Sequence, residues 1–308
     1  MKAISYSQYG SPDVLELTEQ PLPKVGPGMV LVKVKAASVN PVDWKIMAGY
    51  LDSMMDLQFP VIPGWDVAGV VESAGIDAPN FRPGDEVIAY GRKDFVHGGS
   101  FAEYIALPER LLARKPATLD WDGSAGLPLA GLTAYQVLTR LGIKASDTVL
   151  IHGGAGGVGS LGIQLAVAFG ARVIATASEK NHDFLRALGA EPVSYGEGLA
   201  ERVRAVAPAG ADVVADFVGG NLDTTLAVLA EGGRHASIAD SSVEEHGGTW
   251  MWVNPVAADL DRLARLVDEH GLKVEVARTF PLADAAGAFR LNMEGHTRGK
   301  IIVRVDAG

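Results

Sequence analysis

Short runs with β-strand character dominate the N-terminal part of the chain. Residues 30–35 (VLVKVK), 67–73 (VAGVVES) and 86–89 (EVIA) either alternate apolar and polar side chains or are rich in β-branched ones. Pro-Gly pairs, such as the one at 63–64, separate these runs. Many short strands joined by turns of this kind predict a compact, barrel-like β domain.

Near residue 120 the pattern changes to an alternation of strands and helices. Strands are predicted at residues 149–151, 172–177, 211–217 and 234–239. Helical patterns lie at residues 125–141, 181–188 and 222–229. Repeated strand-helix units of this length predict a parallel, doubly wound sheet, so the overall fold class is α/β.

The C-terminal stretch returns to a β pattern after one amphipathic helix. Asn254-Pro255 is predicted as the N-cap and first residue of this helix, since proline is tolerated at that position. One apolar face follows, formed by Leu260, Leu263 and Val267. Residues 273–279 and 300–305 are predicted strands, and the tail is therefore expected to rejoin the N-terminal β domain.

A glycine-rich loop lies between the strand at 149–151 and a helical pattern. Gly154, Gly156 and Gly159 have the spacing G-x-G-x-x-G. A glycine backbone lets a pyrophosphate approach closely, and the helix N-terminus behind it offers free N–H groups. The order of strand, loop and helix therefore predicts a dinucleotide-binding site, the alternative being a glycine-rich turn that binds no ligand.

Composition and charge exclude several kinds of function. The net charge is −10 and no cluster of Lys and Arg is present, which argues against a nucleic-acid partner. There is no cysteine, so disulfides, thiolate catalysis and sulfur-ligated zinc are excluded. No apolar stretch is long enough for a membrane helix, and a cytoplasmic location is expected.

Seven stretches together resemble one known family. They are AASVNPVDWK at 36–45, PGWDVAGVVESAG at 63–75, RPGDEV at 82–87, GSFAEY at 99–104, LPLAGLTAYQVL at 127–138, the loop HGGAGGVG at 152–159, and GHTRGKIIV at 295–303. In this order they resemble the medium-chain dehydrogenase/reductase superfamily, in its zinc-independent branch of quinone oxidoreductases and alkenal reductases. The resemblance implies a GroES-like catalytic domain made of residues 1–118 and 254–308, with a Rossmann domain inserted at 119–253.

Two departures from the zinc-dependent relatives bear on the chemistry. Asn40 stands where those enzymes have a cysteine ligand, and Gly64, Trp65 and Asp66 stand where they have Gly-His-Glu. No metal site is expected. Reduction of an isolated carbonyl produces a localised alkoxide that needs a Lewis acid beside it. In a quinone or an α,β-unsaturated carbonyl the charge moves to a distant oxygen, where a hydrogen-bond donor and a proton suffice.

The end of the second Rossmann strand bears on the choice of nicotinamide cofactor. NAD sites usually place Asp or Glu there, roughly 20 residues after the loop. Here the strand is followed by Ser178, Glu179 and Lys180, and a hydroxyl with a cation suits the 2′-phosphate of NADPH. Glu179 would repel that phosphate if it pointed inward. The alternative is that Ser178 caps a helix and Lys180 is solvated.

The resemblance assigns further residues to the cofactor. Besides Ser178 and Lys180, these residues are Asn40, Thr133, Gly154, Gly156, Gly157, Val158, Tyr195, Phe217, Val218, Ile238 and Lys300. The alternative for Ile238 is a structural position in the core rather than contact with the cofactor. For Lys300 the alternative is an exposed lysine at a strand edge.

The candidate catalytic residues are Asn40, Asp43 and Tyr50. The alternative for Asn40 is that it only forms a turn. Tyr50 is a possible proton donor, and the alternative is a half-buried structural role. Lys45 and Trp252 are the candidates for the substrate pocket.

Trp252 lies in a predicted edge strand at 249–253, which either walls the pocket or forms the interface of a homodimer. His97 and His152 lack any ligand-like spacing and are interpreted as structural.

Three functions remain open at this point. The leading one is an NADPH-dependent reductase that transfers hydride to quinones or α,β-unsaturated carbonyls. A second is an enoyl-thioester reductase, and a third is an NADPH-binding protein without turnover that serves structure or regulation.

Overall fold

The structure, a computed structural model, describes residues 1–305. Two compact units are present, residues 1–129 with those from Pro255 onward, and Ala130–Asn254. The strands are β1 (Lys2–Ser5), β2 (Glu16–Glu19), β3 (Met29–Val39), β4 (Leu57–Ile62), β5 (Asp66–Ala74), β6 (Glu86–Tyr90), β7 (Val96–Gly98), β8 (Tyr104–Pro108), β9 (Leu112–Arg114), β10 (Thr148–His152), β11 (Arg172–Ala177), β12 (Ala190–Ser194), β13 (Ala211–Asp216), β14 (Leu229–Ser237), β15 (Thr249–Trp250), β16 (Val276–Pro281) and β17 (Lys300–Arg304). The α-helices are α1 (Pro41–Met47), α2 (Trp121–Gly126), α3 (Pro128–Arg140), α4 (Gly157–Ala168), α5 (His182–Ala187), α6 (Leu199–Val206), α7 (Leu222–Val228), α8 (Ala257–His270) and α9 (Ala285–Met293).

The first unit is organised around a seven-stranded sheet of order β16-β17-β3-β5-β6-β9, with β8 also paired to β3. Alternation along β3 explains its place, because Val30, Val32 and Val34 are buried in the core while Lys33 and Lys35 remain partly exposed. The predicted strands at 30–35, 67–73 and 86–89 are confirmed within β3, β5 and β6. β17 pairs antiparallel with β3, so the C-terminal segment does complete the N-terminal β unit.

The second unit is built on a parallel sheet of order β12-β11-β10-β13-β14-β15. Counted within the unit, this order is 3-2-1-4-5-6, the order of dinucleotide-binding Rossmann domains. It reverses between β10 and β13. In open parallel sheets, ligands bind beyond the carboxyl ends of the strands at such a reversal. The predicted α/β class, with a GroES-like unit and a Rossmann sheet, is confirmed.

Three predicted boundaries are wrong. The helical pattern at 125–141 is two helices, because Pro128 has no N–H to continue the first one. Asn254 is not the N-cap of α8, which begins at Ala257. The carbonyl of Asn254 accepts a hydrogen bond from the Gln136 amide at 3.0 Å, and its N–H donates back to Gln136 at 2.9 Å. The predicted edge strand at 249–253 is limited to the two residues of β15.

Among residues 1–305, no helix combines the length and apolar character needed to cross a bilayer.

Candidate cofactor site and active site

The glycine-rich loop connects β10 directly to α4. Thr176 of the neighbouring strand anchors it, because its Oγ1 accepts from the Gly153 N–H at 3.1 Å and its carbonyl from the Gly154 N–H at 2.9 Å. Gly156 is the N-cap of α4, in extended conformation. The first N–H groups of a helix have no acceptor inside the helix and favour an anion. At Gly157 and Val158 they are therefore available to a pyrophosphate.

The space around the three motif glycines differs. A Cβ on Gly159 would lie 2.2 Å from the carbonyl oxygen of Gly153, which leaves no room for any other residue. A Cβ on Gly154 would meet the Ala175 Cβ at 2.9 Å. At Gly156 the nearest atom is the Gly153 carbonyl oxygen, at 3.4 Å, so the fold leaves that side open. A dinucleotide fits this arrangement, since two glycines shape the loop and the third leaves its backbone accessible.

Most of the other predicted cofactor residues lie at one edge of the parallel sheet. Ser178, Tyr195, Phe217 with Val218, and Ile238 follow β11, β12, β13 and β14. Since the carboxyl ends of parallel strands point the same way, these side chains share the edge with the glycine loop.

Contacts within the second unit differ among these residues. Val218 lies against the loop, because a Cβ on Gly153 would lie 2.3 Å from its Cγ2. Phe217 packs toward Gly162 of α4, and Thr133 is buried within α3.

The segment after β11 leaves its polar groups accessible. Ser178 begins a one-turn 3₁₀ helix, but its hydroxyl makes no capping bond and instead accepts a hydrogen bond from the Asn181 amide at 3.3 Å. Glu179 and Lys180 are exposed. The capping role considered for Ser178 is therefore not found.

Asp216, at the end of β13, is a residue of this edge that the motifs did not indicate. Its carboxylate accepts hydrogen bonds from the N–H groups of Val218 and Gly219, each at 3.0 Å, and from the Asn221 amide at 3.1 Å. It thereby holds the loop in which Val218 lies. An acidic residue ending an apolar strand was the signal that could have found it.

The first unit contains a second polar cluster, centred on Asn40. The Asn40 Nδ2 donates to the Asp66 carboxylate at 2.8 Å, and the Lys300 ammonium donates to the Asn40 Oδ1 at 2.5 Å. All three residues are at most 5% exposed. An anion on one side and a cation on the other fix which end of the amide carries the oxygen.

Asp66 is the hub of this cluster. It also accepts from the Ser38 hydroxyl at 2.7 Å and the Leu129 N–H at 2.8 Å, with the Lys300 ammonium 3.6 Å away. Burial raises the pKa of Asp66, and the charge of Lys300 and the hydrogen bonds oppose that rise. Burial lowers the pKa of Lys300, which Asp66 and Asp43 oppose. Lys300 is a buried residue of β17, so the alternative of an exposed edge lysine is wrong.

Asp43, in the first turn of α1, completes the cluster. It is buried and accepts a hydrogen bond from the Asn40 N–H at 2.7 Å. Burial raises the pKa of Asp43 to about 7, the nearby Asp66 adds to the rise, and the Asn40 bond opposes it. This carboxyl therefore exchanges its proton near neutral pH.

The structure does not bring Tyr50 and Lys45 into this cluster. Tyr50 is 69% exposed, so the half-buried role considered for it is wrong. Its ring lies 6.1 Å from that of Trp44, and the Lys45 ammonium lies 5.8 Å from the same Trp44 ring. Trp252, in the other unit, is half-buried and follows β15 rather than lying within a strand.

A pocket opens in the first unit beside Asp43. Its lining comes from α1 and from the segments 62–65 and 91–99, and includes Trp65 and Lys93. The motifs had marked Trp65 only as the replacement of a metal ligand and had not marked Lys93. Within residues 1–305, no three His, Cys, Asp or Glu side chains are grouped so that they could hold a metal ion.

Comparison with known families matches both units. Residues 26–117 match the family of alcohol dehydrogenase GroES-like domains, and residues 188–303 match the family of zinc-binding dehydrogenases.

Curated relatives from Arabidopsis thaliana cover nearly the whole chain. The "NADPH-dependent alkenal/one oxidoreductase, chloroplastic" is 37% identical over 98% of this chain and 79% of its own length. The "Chloroplast envelope quinone oxidoreductase homolog" is 33% identical over 98% of each chain.

Solved structures agree with these relatives. The quinone oxidoreductase from Coxiella burnetii has a TM-score of 0.86 and 35% identity, covering 99% of each chain. An NAD-dependent alcohol dehydrogenase has a TM-score of 0.89 and 33% identity, covering 99% of this chain and 100% of its own. Fold and relatives together support a nicotinamide cofactor.

Two substitutions in the glycine loop form a matched pair that tests its assignment to dinucleotide binding. Gly156→Ala has room in the fold but places a methyl group where a pyrophosphate would approach, so we expect an unchanged unfolding midpoint and binding of NADPH or NADH at least about tenfold weaker. Gly159→Ala overpacks against backbone and is expected to cost about 1–3 kcal/mol of stability as well. Thermal unfolding and calorimetric titration measure the two effects. Unchanged dinucleotide binding by Gly156→Ala contradicts the assignment.

The raised pKa of Asp43 predicts that the free energy of unfolding depends on pH. Its carboxyl keeps its proton in the folded protein up to about pH 7, whereas the unfolded chain releases it near 3.8. The unfolded state binds fewer protons in this window, so the Asp43 contribution to the free energy of unfolding falls as pH rises through it, by up to roughly 4 kcal/mol.

Asp43→Asn lacks this contribution, so its stability relative to wild type should increase from about pH 4 to about pH 7. Denaturant unfolding across that range measures the difference, with the exposed Asp56→Asn as control. Parallel pH profiles for wild type and Asp43→Asn are the contrary result.

Proposed function

Because the chain belongs to the medium-chain dehydrogenase/reductase superfamily, in its branch of quinone and alkenal reductases, we propose that it is an NADPH-dependent reductase of quinones or α,β-unsaturated carbonyls. The observation that carries the proposal is the glycine loop at the reversal of strand order, with the backbone of Gly156 open to a ligand. The names of the relatives support the substrate class.

Each part of the site has a role in this reaction. When bound, NADPH supplies a hydride, and the conjugated acceptor takes the electron pair onto its own oxygen. The N–H groups of Gly157 and Val158 would hold the pyrophosphate, and Val218 lies against the same loop. Asn40 offers an amide of fixed orientation, because Asp66 and Lys300 hold its two ends. We propose Thr133, Tyr195, Ile238 and Lys300 as further cofactor residues.

The metal positions of the zinc-dependent relatives carry residues unsuited to zinc. Asn40 offers an amide where those enzymes have a thiolate, and Trp65 has no ligand atom. Asp66 is engaged by the Lys300 ammonium and by hydrogen bonds. We therefore propose an acceptor that carries its own electron sink.

The function is tested by NADPH oxidation with 1,4-benzoquinone and with a 2-alkenal. We expect turnover of at least one of them at a rate that chelator treatment does not change. Absence of turnover with every quinone and electrophilic alkene in such a screen contradicts the proposal. Preference for crotonyl-CoA over both acceptors would instead identify an enoyl-thioester reductase.

We propose a preference for NADPH over NADH on the basis of Ser178 and Lys180. Both follow β11, where the ribose of the adenosine is expected, and Lys180 is exposed and able to approach a phosphate. Lys180→Met should raise the KM for NADPH about tenfold and leave the KM for NADH unchanged. Glu179→Gln removes the opposing charge and should act in the reverse direction. Equal effects on both cofactors would refute the assignment of Lys180.

Three further proposals stand on the sequence and the resemblance. They are domain limits at 118/119 and 253/254, a homodimer formed through the edge near Trp252, and a cytoplasmic location.

A further inference from the structure

Arg202 holds one loop of the second unit by its backbone. Its guanidinium lies against the loop that follows β12 and donates hydrogen bonds to the carbonyl oxygens of four consecutive residues. The Nε donates to Ser194 at 3.0 Å, the Nη1 to Glu197 at 2.8 Å, and the Nη2 to Gly196 at 3.2 Å and Tyr195 at 3.4 Å. A single side chain therefore determines the course of the whole loop.

The sequence explains why four carbonyls can meet one guanidinium. Gly196 and Gly198 both have left-handed backbones, with φ of +95° and +75°. Such angles turn the chain sharply, and glycine adopts them without steric cost. Arginine suits the other side of the contact, because its planar group carries five N–H donors in a fixed arrangement.

Arg202 is itself well anchored. It belongs to α6, where Leu199 and Val203 are buried in one apolar core together with Leu150 and Ile174 of the parallel sheet. The arginine side chain is half-buried. A loop that is tied to a helix fixed by the core has little freedom to move relative to the sheet.

The loop carries Tyr195, one of the residues proposed above to contact the cofactor. Tyr195 is 60% exposed and follows β12 at the carboxyl edge of the sheet. In dinucleotide-binding sheets the end of the second strand meets the adenosine ribose, and β12 lies beyond that strand, which is β11. An exposed aromatic ring on this side offers a flat face to an adenine.

A second contact joins the same loop to the segment after β11. The Ser194 hydroxyl and the His182 Nε2 form a hydrogen bond of 3.4 Å. His182 begins α5, directly after the segment that contains Ser178 and Lys180. The two segments proposed for the adenosine end are thus joined to each other and, through Arg202, to α6.

We propose that Arg202 is a positioning residue for the adenosine end of the cofactor and acts through the loop that carries Tyr195. Without the guanidinium, the loop samples arrangements in which Tyr195 does not meet the ligand. The affinity then falls in proportion to the time that the loop spends in the binding arrangement. The inference deepens the proposed reductase function and rests on it. All the residues involved belong to the second unit.

The first test measures the loop without any ligand. The Leu199 N–H donates to the Gly196 carbonyl at 3.1 Å, so its hydrogen exchange reports opening of the loop. Arg202→Met removes the donors and keeps an unbranched side chain. Exchange at Leu199 should become at least about tenfold faster, while exchange in β10 stays unchanged. Equal exchange at Leu199 in wild type and Arg202→Met overturns the proposal.

The second test measures binding and turnover. ADP-ribose is the probe, because it contains the adenosine and pyrophosphate that NADPH and NADH share and lacks the nicotinamide. Arg202→Met should bind ADP-ribose about tenfold more weakly and raise the KM for NADPH by the same factor, with kcat at saturating NADPH unchanged. Unchanged affinity for ADP-ribose, or a fall in kcat without a change in KM, contradicts the positioning role.

Arg204 provides the matched control. It lies in the same helix, and its guanidinium also binds backbone carbonyls, those of Ala227, Pro208 and Leu229. Leu229 is the first residue of β14, so these contacts lie at the opposite end of the strands from Tyr195. Arg204→Met should leave the affinity for ADP-ribose unchanged, and thermal unfolding checks that both variants fold. Equal losses of affinity in the two variants would mean a general effect on the fold and refute the role of Arg202.

A double-mutant cycle tests whether Arg202 acts through Tyr195. If it does, Arg202→Met combined with Tyr195→Ala should bind ADP-ribose no more weakly than Tyr195→Ala alone. If the two losses of binding free energy add, the guanidinium acts on the ligand independently of the tyrosine, and the positioning role is overturned.

The outcomes separate this inference from the proposed function. If wild type reduces acceptors and Arg202→Met does so with an unchanged KM for NADPH, the role of Arg202 is overturned and the reductase function stands. If wild type reduces no acceptor but binds ADP-ribose through a loop that depends on Arg202, the function is overturned and the positioning role stands. If wild type binds neither ADP-ribose nor NADPH, both are overturned.

Discussion

The first unit depends on the hydrogen bonds and the ion pair that the buried carboxylate of Asp66 forms. Ser38 and Asn40 at the end of β3, the backbone at Leu129, and Lys300 of β17 all converge on it. Removing one partner from a buried ion pair typically costs about 3–5 kcal/mol, because the remaining charge stays buried without compensation. The cluster therefore fixes the Asn40 amide and the start of α1 together. Its members are also those that the proposed chemistry uses, so stability and function are coupled here.

Much of the fold could be predicted because its signals are local. The spacing of Gly154, Gly156 and Gly159 between an apolar strand and a helix already specified the loop. Gly159 is required by the Gly153 backbone six residues earlier and Gly156 by an expected ligand, whereas the contact that requires Gly154 comes from the neighbouring strand. The strands β10, β11, β13 and β14 of the parallel sheet were found for the same reason, whereas β12 was not predicted. Asn40 and Asp43 were found by motif, and the structure joins them through a hydrogen bond across one helical turn.

The parts that escaped prediction depend on distant contacts. Lys300 lies 260 residues from Asn40 along the chain, and no periodic pattern in the sequence indicates that the two side chains are in contact. The Gln136 amide donates a hydrogen bond to the carbonyl of Asn254, a contact over 118 residues that the Asn-Pro pair alone did not reveal. The exposure of Tyr50 likewise could not be predicted from its motif.

The place of β17 in the sheet has a consequence for biosynthesis. The segment Ala130–Asn254 contains every strand of its own sheet, so it can fold while the ribosome is still adding residues. The first unit cannot, because residues 36–39 of β3 pair with β17, which is translated after the whole of Ala130–Asn254. Until Lys300 leaves the exit tunnel, Asp66 has no ammonium and β3 has an open edge, the state in which chains associate with one another. A truncation before Lys300, which removes β17, would make that transient state permanent.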